Sequence, residues 1–142
     1  MSRLSILNML IGFSLIFFAA AGGPFLAFDA TDSFIHDPSI MSSWLFTLLS
    51  SAHGHTNLFG MLHVLFALSM PYSRLSLVFK KIQTLGFGLG SFAMSALMII
   101  RANMGPVAGY DFLGICTGLC LSASLAAIAL HCYGLAMKWL RL

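Results

Sequence analysis

Four stretches of the chain carry no aspartate, glutamate, lysine or arginine: Leu4–Phe28, Trp44–Met70, Ile82–Ile100 and Phe112–Met137. A helix needs about 20 apolar residues to cross the hydrocarbon core of a bilayer, and each stretch meets or nearly meets that length. In lipid the backbone must satisfy its own hydrogen bonds, which selects helix. The expected fold is therefore all-α, an integral membrane four-helix bundle forming one transmembrane domain over residues 1–142. Composition agrees. Only 8% of the residues are charged, whereas soluble domains carry roughly 25%, so too little polar surface remains to face water all round.

The net charge is +3, but the basic residues form no run. Arg3, Arg74, Lys80, Lys81, Arg101, Lys138 and Arg141 each stand at or near the end of an apolar stretch. Nucleic-acid binding is not expected, and the lipid bilayer is the first partner. Alternating spans place six of these residues on one side and leave Arg101 alone on the other. That excess assigns the first side, with both termini, to the cytoplasm; the expected location is a bacterial inner membrane or its equivalent. Asp29, Asp32, Asp37 and Asp111 all fall outside.

Arg3, the apolar run and Ala19-Ala20-Ala21 resemble a secretory signal, yet the run continues to Phe28 and reads as a span. Gly22-Gly23-Pro24 is expected to end or kink this helix near its outer end. The Asp29–Ser43 segment, with His36, reads as a solvated loop with a turn at Asp37-Pro38 rather than a cation site. Gly86, Gly90 and Met94, with Ser91 and Ser95 beside them, form small-residue rows, as do Gly114, Gly118 and Ser122. Such rows let helices approach closely in lipid and suit internal packing or a second copy of the chain equally. Cys116, Cys120 and Cys132 share one span and read as buried side chains, not as a disulfide framework.

The histidines carry the functional signal. His53, His55 and His63 lie in the second span and His131 in the fourth, and ionisable groups inside a membrane mark function by default. At about 100° per residue, His63 shares a face with Ala52, Thr56, Phe59, Ala67 and Met70. His53 and His55 flank that face on opposite sides. His131 shares a face with Thr117, Cys120, Ser124 and Ala127. Both faces suit a bundle interior. If the second and fourth helices start level, His63 and His131 meet at one depth. His53 lies about 15 Å from His63 along the axis, so the four imidazoles form at least two layers.

Two imidazoles from facing helices suit the axial positions of a haem iron. The leading expectation is a b-type haem protein held by His63 and His131, passing electrons to or from a quinone or a redox partner protein. His53 and His55 would form a second site or a proton path, with Thr56 and Asn57 orienting imidazoles by hydrogen bonds. Copper or zinc is the alternative, with His63, His131 and His53 as ligands and Cys120 as a soft addition. A third reading is a non-catalytic subunit whose histidines bridge helices by hydrogen bonds. Hydrolysis is disfavoured, because no acidic residue accompanies histidine and serine within a span. Arg101 reads as an interfacial anchor, with pairing to Asp111 or to an anionic ligand as the other role.

The segment His53-Gly54-His55-Thr56-Asn57-Leu58-Phe59-Gly60 resembles the H-x-H-x-N-L-x-G segment of small four-helix membrane proteins related to the haem–copper oxidase catalytic subunit. That resemblance covers about one helix. It implies a haem ligand among His53, His55 and His63, and a role in electron transfer or in binding haem or a gas.

Overall fold

The computed structural model describes residues 1–109 and 111–140; Arg141, counted above among the basic residues, lies outside them. Four long helices form the bundle: α1 (Arg3–His36), α2 (Trp44–Ser69), α3 (Leu77–Met104) and α4 (Phe112–Trp139). Short 3₁₀ turns, Pro38–Ser42 and Met70–Tyr72, follow α1 and α2. Three of the four helices start where a polar side chain accepts from a free backbone N–H. Ser2 accepts from Ser5, Ser43 from Phe46 and Asp111 from Gly114, capping α1, α2 and α4.

Three helices, α1, α3 and α4, are long and apolar enough to cross a membrane. This is a membrane protein. The second helix is not among the three, because three histidines and an asparagine dilute its apolar content. Its 26 residues nevertheless extend about 39 Å at 1.5 Å each. Large apolar side chains such as Phe13, Phe17, Leu65, Leu85, Leu119 and Leu125 cover the outside of the bundle, as a lipid-facing surface requires.

The first helix does not end near Gly22-Gly23-Pro24. It runs on through Pro24 to His36, so Asp29, Asp32 and His36 are helical rather than part of a loop. Proline costs a helix one N–H and some local strain, which membrane helices tolerate where neighbours support them. The stop comes at Asp37, where the following Pro38 disfavours helical backbone. The expected turn at Asp37-Pro38 is present, with the Asp37 carboxylate accepting from Ser39 N at 2.9 Å. The third helix is also longer than its apolar stretch, and one π-helical turn, Ala93–Leu97, interrupts it.

Neighbouring helices are antiparallel, and glycines set their spacing. A Cβ on Gly12 would lie 2.7 Å from the Gly60 carbonyl oxygen, and one on Gly60 2.7 Å from Ile16 Cγ1. Only hydrogen fits at this α1–α2 crossing. Between α3 and α4, Gly86 stands against Ala123 and Ala127, and Gly90 against Ser124. The α3 row is the packing face that its spacing suggests. The α4 row is not: Gly118 has nothing near it and Ser122 is exposed. Ala123, Ser124 and Ala127 take that place. Phe59, Phe87, Met94 and Ala127 form the core, joined by Leu15, Leu62, Met98 and Leu121.

The two ends differ in charge. Arg3, Arg74, Lys80, Lys81 and Lys138 gather at one, here called the basic end. At the other, Arg101 pairs with Asp111 at 2.8 Å and sits over the Trp44 ring, whose indole N–H donates to the Arg101 carbonyl at 3.3 Å. Arg101 thus joins α2, α3 and the start of α4.

Candidate functional site

His63 is fully buried, and both ring nitrogens are engaged. Nδ1 lies 3.0 Å from Asn8 Oδ1 on α1, and Nε2 lies 2.9 Å from Ser91 Oγ on α3. The carboxamide oxygen only accepts, so Nδ1 carries the proton; the Ser91 hydroxyl, also 3.0 Å from the Phe87 carbonyl, then turns its single proton to Nε2, because that carbonyl already accepts within the helix. That assignment follows from the network. Asn8 spends its two amide protons on the Leu4 carbonyl at 2.9 Å and on Thr84 Oγ1 at 3.0 Å. Thr84 in turn donates to the Lys80 carbonyl at 3.0 Å. Every polar atom of this knot is satisfied, and it ties three helices together.

His131 is placed differently. Its Nε2 lies 2.8 Å from Ser69 Oγ, six residues beyond His63 on α2, or about 9 Å along the axis. The two helices therefore do not bring His63 and His131 to one depth. Phe87 packs on His63 with ring centroids 4.7 Å apart, Phe66 packs on His131 at 4.5 Å, and the two phenyls stack at 5.7 Å. A haem ligated by both imidazoles would need the volume these rings fill, and iron at His63 Nε2 would have to displace Ser91. The residues as placed do not fit a shared haem. Among the described residues no three His, Cys, Asp or Glu side chains stand close enough to hold a metal ion. His63 and His131 instead bridge helices by hydrogen bonds.

Room for a ligand lies elsewhere. A cleft of about 500 Å³ opens between α1, α2 and α3, toward the end bearing Asp29. His53, Thr56 and Ser95 supply its polar atoms. Leu15, Phe18 and Leu26 are among its apolar walls, and Asp29 stands at its rim. The imidazole lies over Gly23, where a Cβ would come within 3.1 Å of His53 Cε1. Gly23 thus makes room for the ring. The π-helical turn of α3 brings Ser95 and Ala96 to the same cleft, as such turns often do at functional sites.

The hydroxyl protons of this cleft are already spent. Thr56 donates to the Ala52 carbonyl at 2.6 Å and Ser95 to the Ser91 carbonyl at 2.7 Å. Both oxygens therefore face the cleft as acceptors. Asn57 Nδ2 is 3.4 Å from His53 Nε2 and from the His53 carbonyl, which favours a proton on Nδ1. The cleft is thus lined by the His53 imidazole and two hydroxyl acceptors. His55 lies on the other flank of α2, with Nδ1 donating to the Ser51 carbonyl at 2.8 Å. It does not join His53 in one site.

Comparison with protein families, with curated proteins and with solved structures gives no match. Sequence reasoning missed Asn8, Ser91 and Ser95, which are isolated polar residues in apolar runs. Asn8 carried the best available signal, since an amide inside a span needs a partner.

Proposed function

We propose that this protein binds a neutral, lipid-soluble carbonyl compound of the quinone class in the His53 cleft, and serves quinone-linked electron transfer in the membrane. One observation carries the reading: the cleft sets the His53 imidazole, a hydrogen-bond donor through the ring nitrogen that Asn57 leaves free, beside two hydroxyl acceptors inside apolar walls. A quinone carbonyl accepts a hydrogen bond and a quinol hydroxyl donates one, so both oxidation states find partners. Among the described residues no lysine or arginine lines the cleft, and Asp29 at its rim repels anions. That disfavours haem, whose propionates are negative, and favours an uncharged guest. The electrons would come from a partner redox protein.

Titration of a water-soluble quinone analogue into the protein in lipid nanodiscs tests this. His53→Ala should weaken binding about tenfold, the loss expected for a hydrogen bond worth roughly 1.4 kcal/mol. Equal binding by the variant would remove the quinone reading. A haem spectrum in the purified protein that His53→Ala abolishes would replace quinone with haem.

We also propose that the basic end faces the cytoplasm of a bacterial inner membrane, on the excess of lysine and arginine there. Reporter fusions after Ser42 and at the C-terminal end should then report opposite sides. Fusions reporting the same side would overturn the four-span topology.

A further inference from the structure

Near the basic end of the α3–α4 interface the fold leaves polar atoms without partners. Gln83 is fully buried, and neither its carboxamide oxygen nor its nitrogen has a hydrogen-bond partner. His131 is 8% exposed, and its Nδ1 is in the same position. Register brings the two together. Gly90 stands against Ser124; seven residues back along α3 is Gln83, and seven on along the antiparallel α4 is His131. Seven residues are about two turns, so both side chains return to the faces that Gly90 and Ser124 share. Ser124 Oγ also lacks a partner, but a serine can turn its hydroxyl onto the carbonyl four residues back. A carboxamide with donor and acceptor both free has no such local remedy.

We infer that Gln83 and His131 bound an internal water site through which the His131 imidazole exchanges protons with the aqueous phase at the basic end. Gln83 presents two N–H donors and an acceptor, and His131 Nδ1 presents a lone pair. Water matches that set, because it both donates and accepts and is held well by two to four polar groups. The other ring nitrogen faces outward. Ser69 is half-buried and donates to the Leu65 carbonyl at 2.8 Å, so Nε2 donates to Ser69 Oγ. Ser69 closes α2 just before the Met70–Tyr72 turn. The imidazole therefore stands between the internal site and the chain end. In exchange, hydronium at the basic end passes a proton through the water of the internal site to Nδ1, giving imidazolium and leaving water behind. Nε2 then releases its proton to water beyond Ser69, and the neutral ring returns in its other tautomer.

Transfer of the ¹⁵N-labelled protein in nanodiscs to D₂O, followed by NMR of side-chain N–H groups, tests this. The His131 ring and the Gln83 carboxamide should exchange rapidly. His63 serves as the internal control, being buried with both nitrogens paired, and should persist about a hundredfold longer, as closed networks open only by local unfolding. Gln83→Leu should slow His131 toward the His63 rate. Protection of His131 equal to that of His63 in the unsubstituted protein would overturn the inference. So would unchanged His131 exchange in the variant. The first measurement needs no variant, so poor folding of Gln83→Leu leaves the test intact.

Discussion

His63 and His131 are both buried imidazoles at helix contacts, yet their surroundings complete them to different degrees. Asn8 and Ser91 occupy both nitrogens of His63, and Thr84 and two backbone carbonyls absorb the remaining protons. His131 has one side-chain partner, Ser69, and keeps a buried ring nitrogen without one. A completed network has no free valence for a ligand and acts as a tie between helices. An incomplete one retains the capacity to bind or exchange. Burial of a histidine in a membrane protein is therefore a weaker guide to function than what its second nitrogen meets.

The largest effect should separate the two imidazoles directly. His63→Ala leaves a cavity and strands Asn8 Oδ1, while the Ser91 hydroxyl falls back on the Phe87 carbonyl, and the change should destabilise the bundle by about 4 kcal/mol. His131→Ala breaks one hydrogen bond and should cost about 2 kcal/mol. Equilibrium unfolding in mixed micelles would measure both, and equal losses would break the contrast. Next come the glycine contacts. Gly60→Leu forces α1 from α2 and should cost about 3 kcal/mol, whereas Gly118→Leu, with open space around it, should stay within about 0.5 kcal/mol. The same unfolding measurement ranks them.

A smaller change is expected at the opposite end of the bundle. The Arg101–Asp111 pair is 31% and 16% exposed, so solvent screens part of its attraction. Asp111→Ala also removes the cap on Gly114, and the combined loss should be about 1 kcal/mol. A double-mutant cycle with Arg101→Ala would separate pair from cap. The smallest effect concerns Asp37, whose carboxyl is held below its ordinary value by its hydrogen bond to Ser39. A depressed value in the folded state means stabilisation above the ordinary carboxyl range, lost as pH falls through the lowered value. Acidification should therefore loosen the Pro38–Ser42 turn before it affects the helices, and Asp37→Asn should remove that pH dependence. Amide exchange at Ser39, read across the acid range, would register both.

Much of the helix layout was legible because apolar length and charge placement act locally. The face of α2 drawn from 100° steps, with Ala52, Thr56, Phe59, Ala67 and Met70 beside His63, is buried throughout. Helix ends were less legible. Pro24 and the Gly22-Gly23 pair carry a local penalty that packing on α2 offsets, and Leu77–Lys81 extends α3 with residues too charged to count as a span. The shared depth of His63 and His131 depended on two helices starting level. Nothing in either helix enforces that, and the offset is decided by how α3 seats both neighbours.

The sequence by itself determined that this chain is helical and membrane-borne, because a backbone in lipid has one economical way to bond and the charges lie only between the apolar runs. It also determined which face of α2 turns inward, since helical periodicity acts within a single element. Only the tertiary structure decided which histidine is tied and which is free. That choice depends on Asn8, Ser91 and Gln83, residues on other helices whose register against α2 and α4 is set by glycine and phenylalanine packing. It likewise gave a roomy cleft to His53 rather than to His63, because the π-helical turn and Gly23 open space at one level and a stack of phenyl rings closes it at the other.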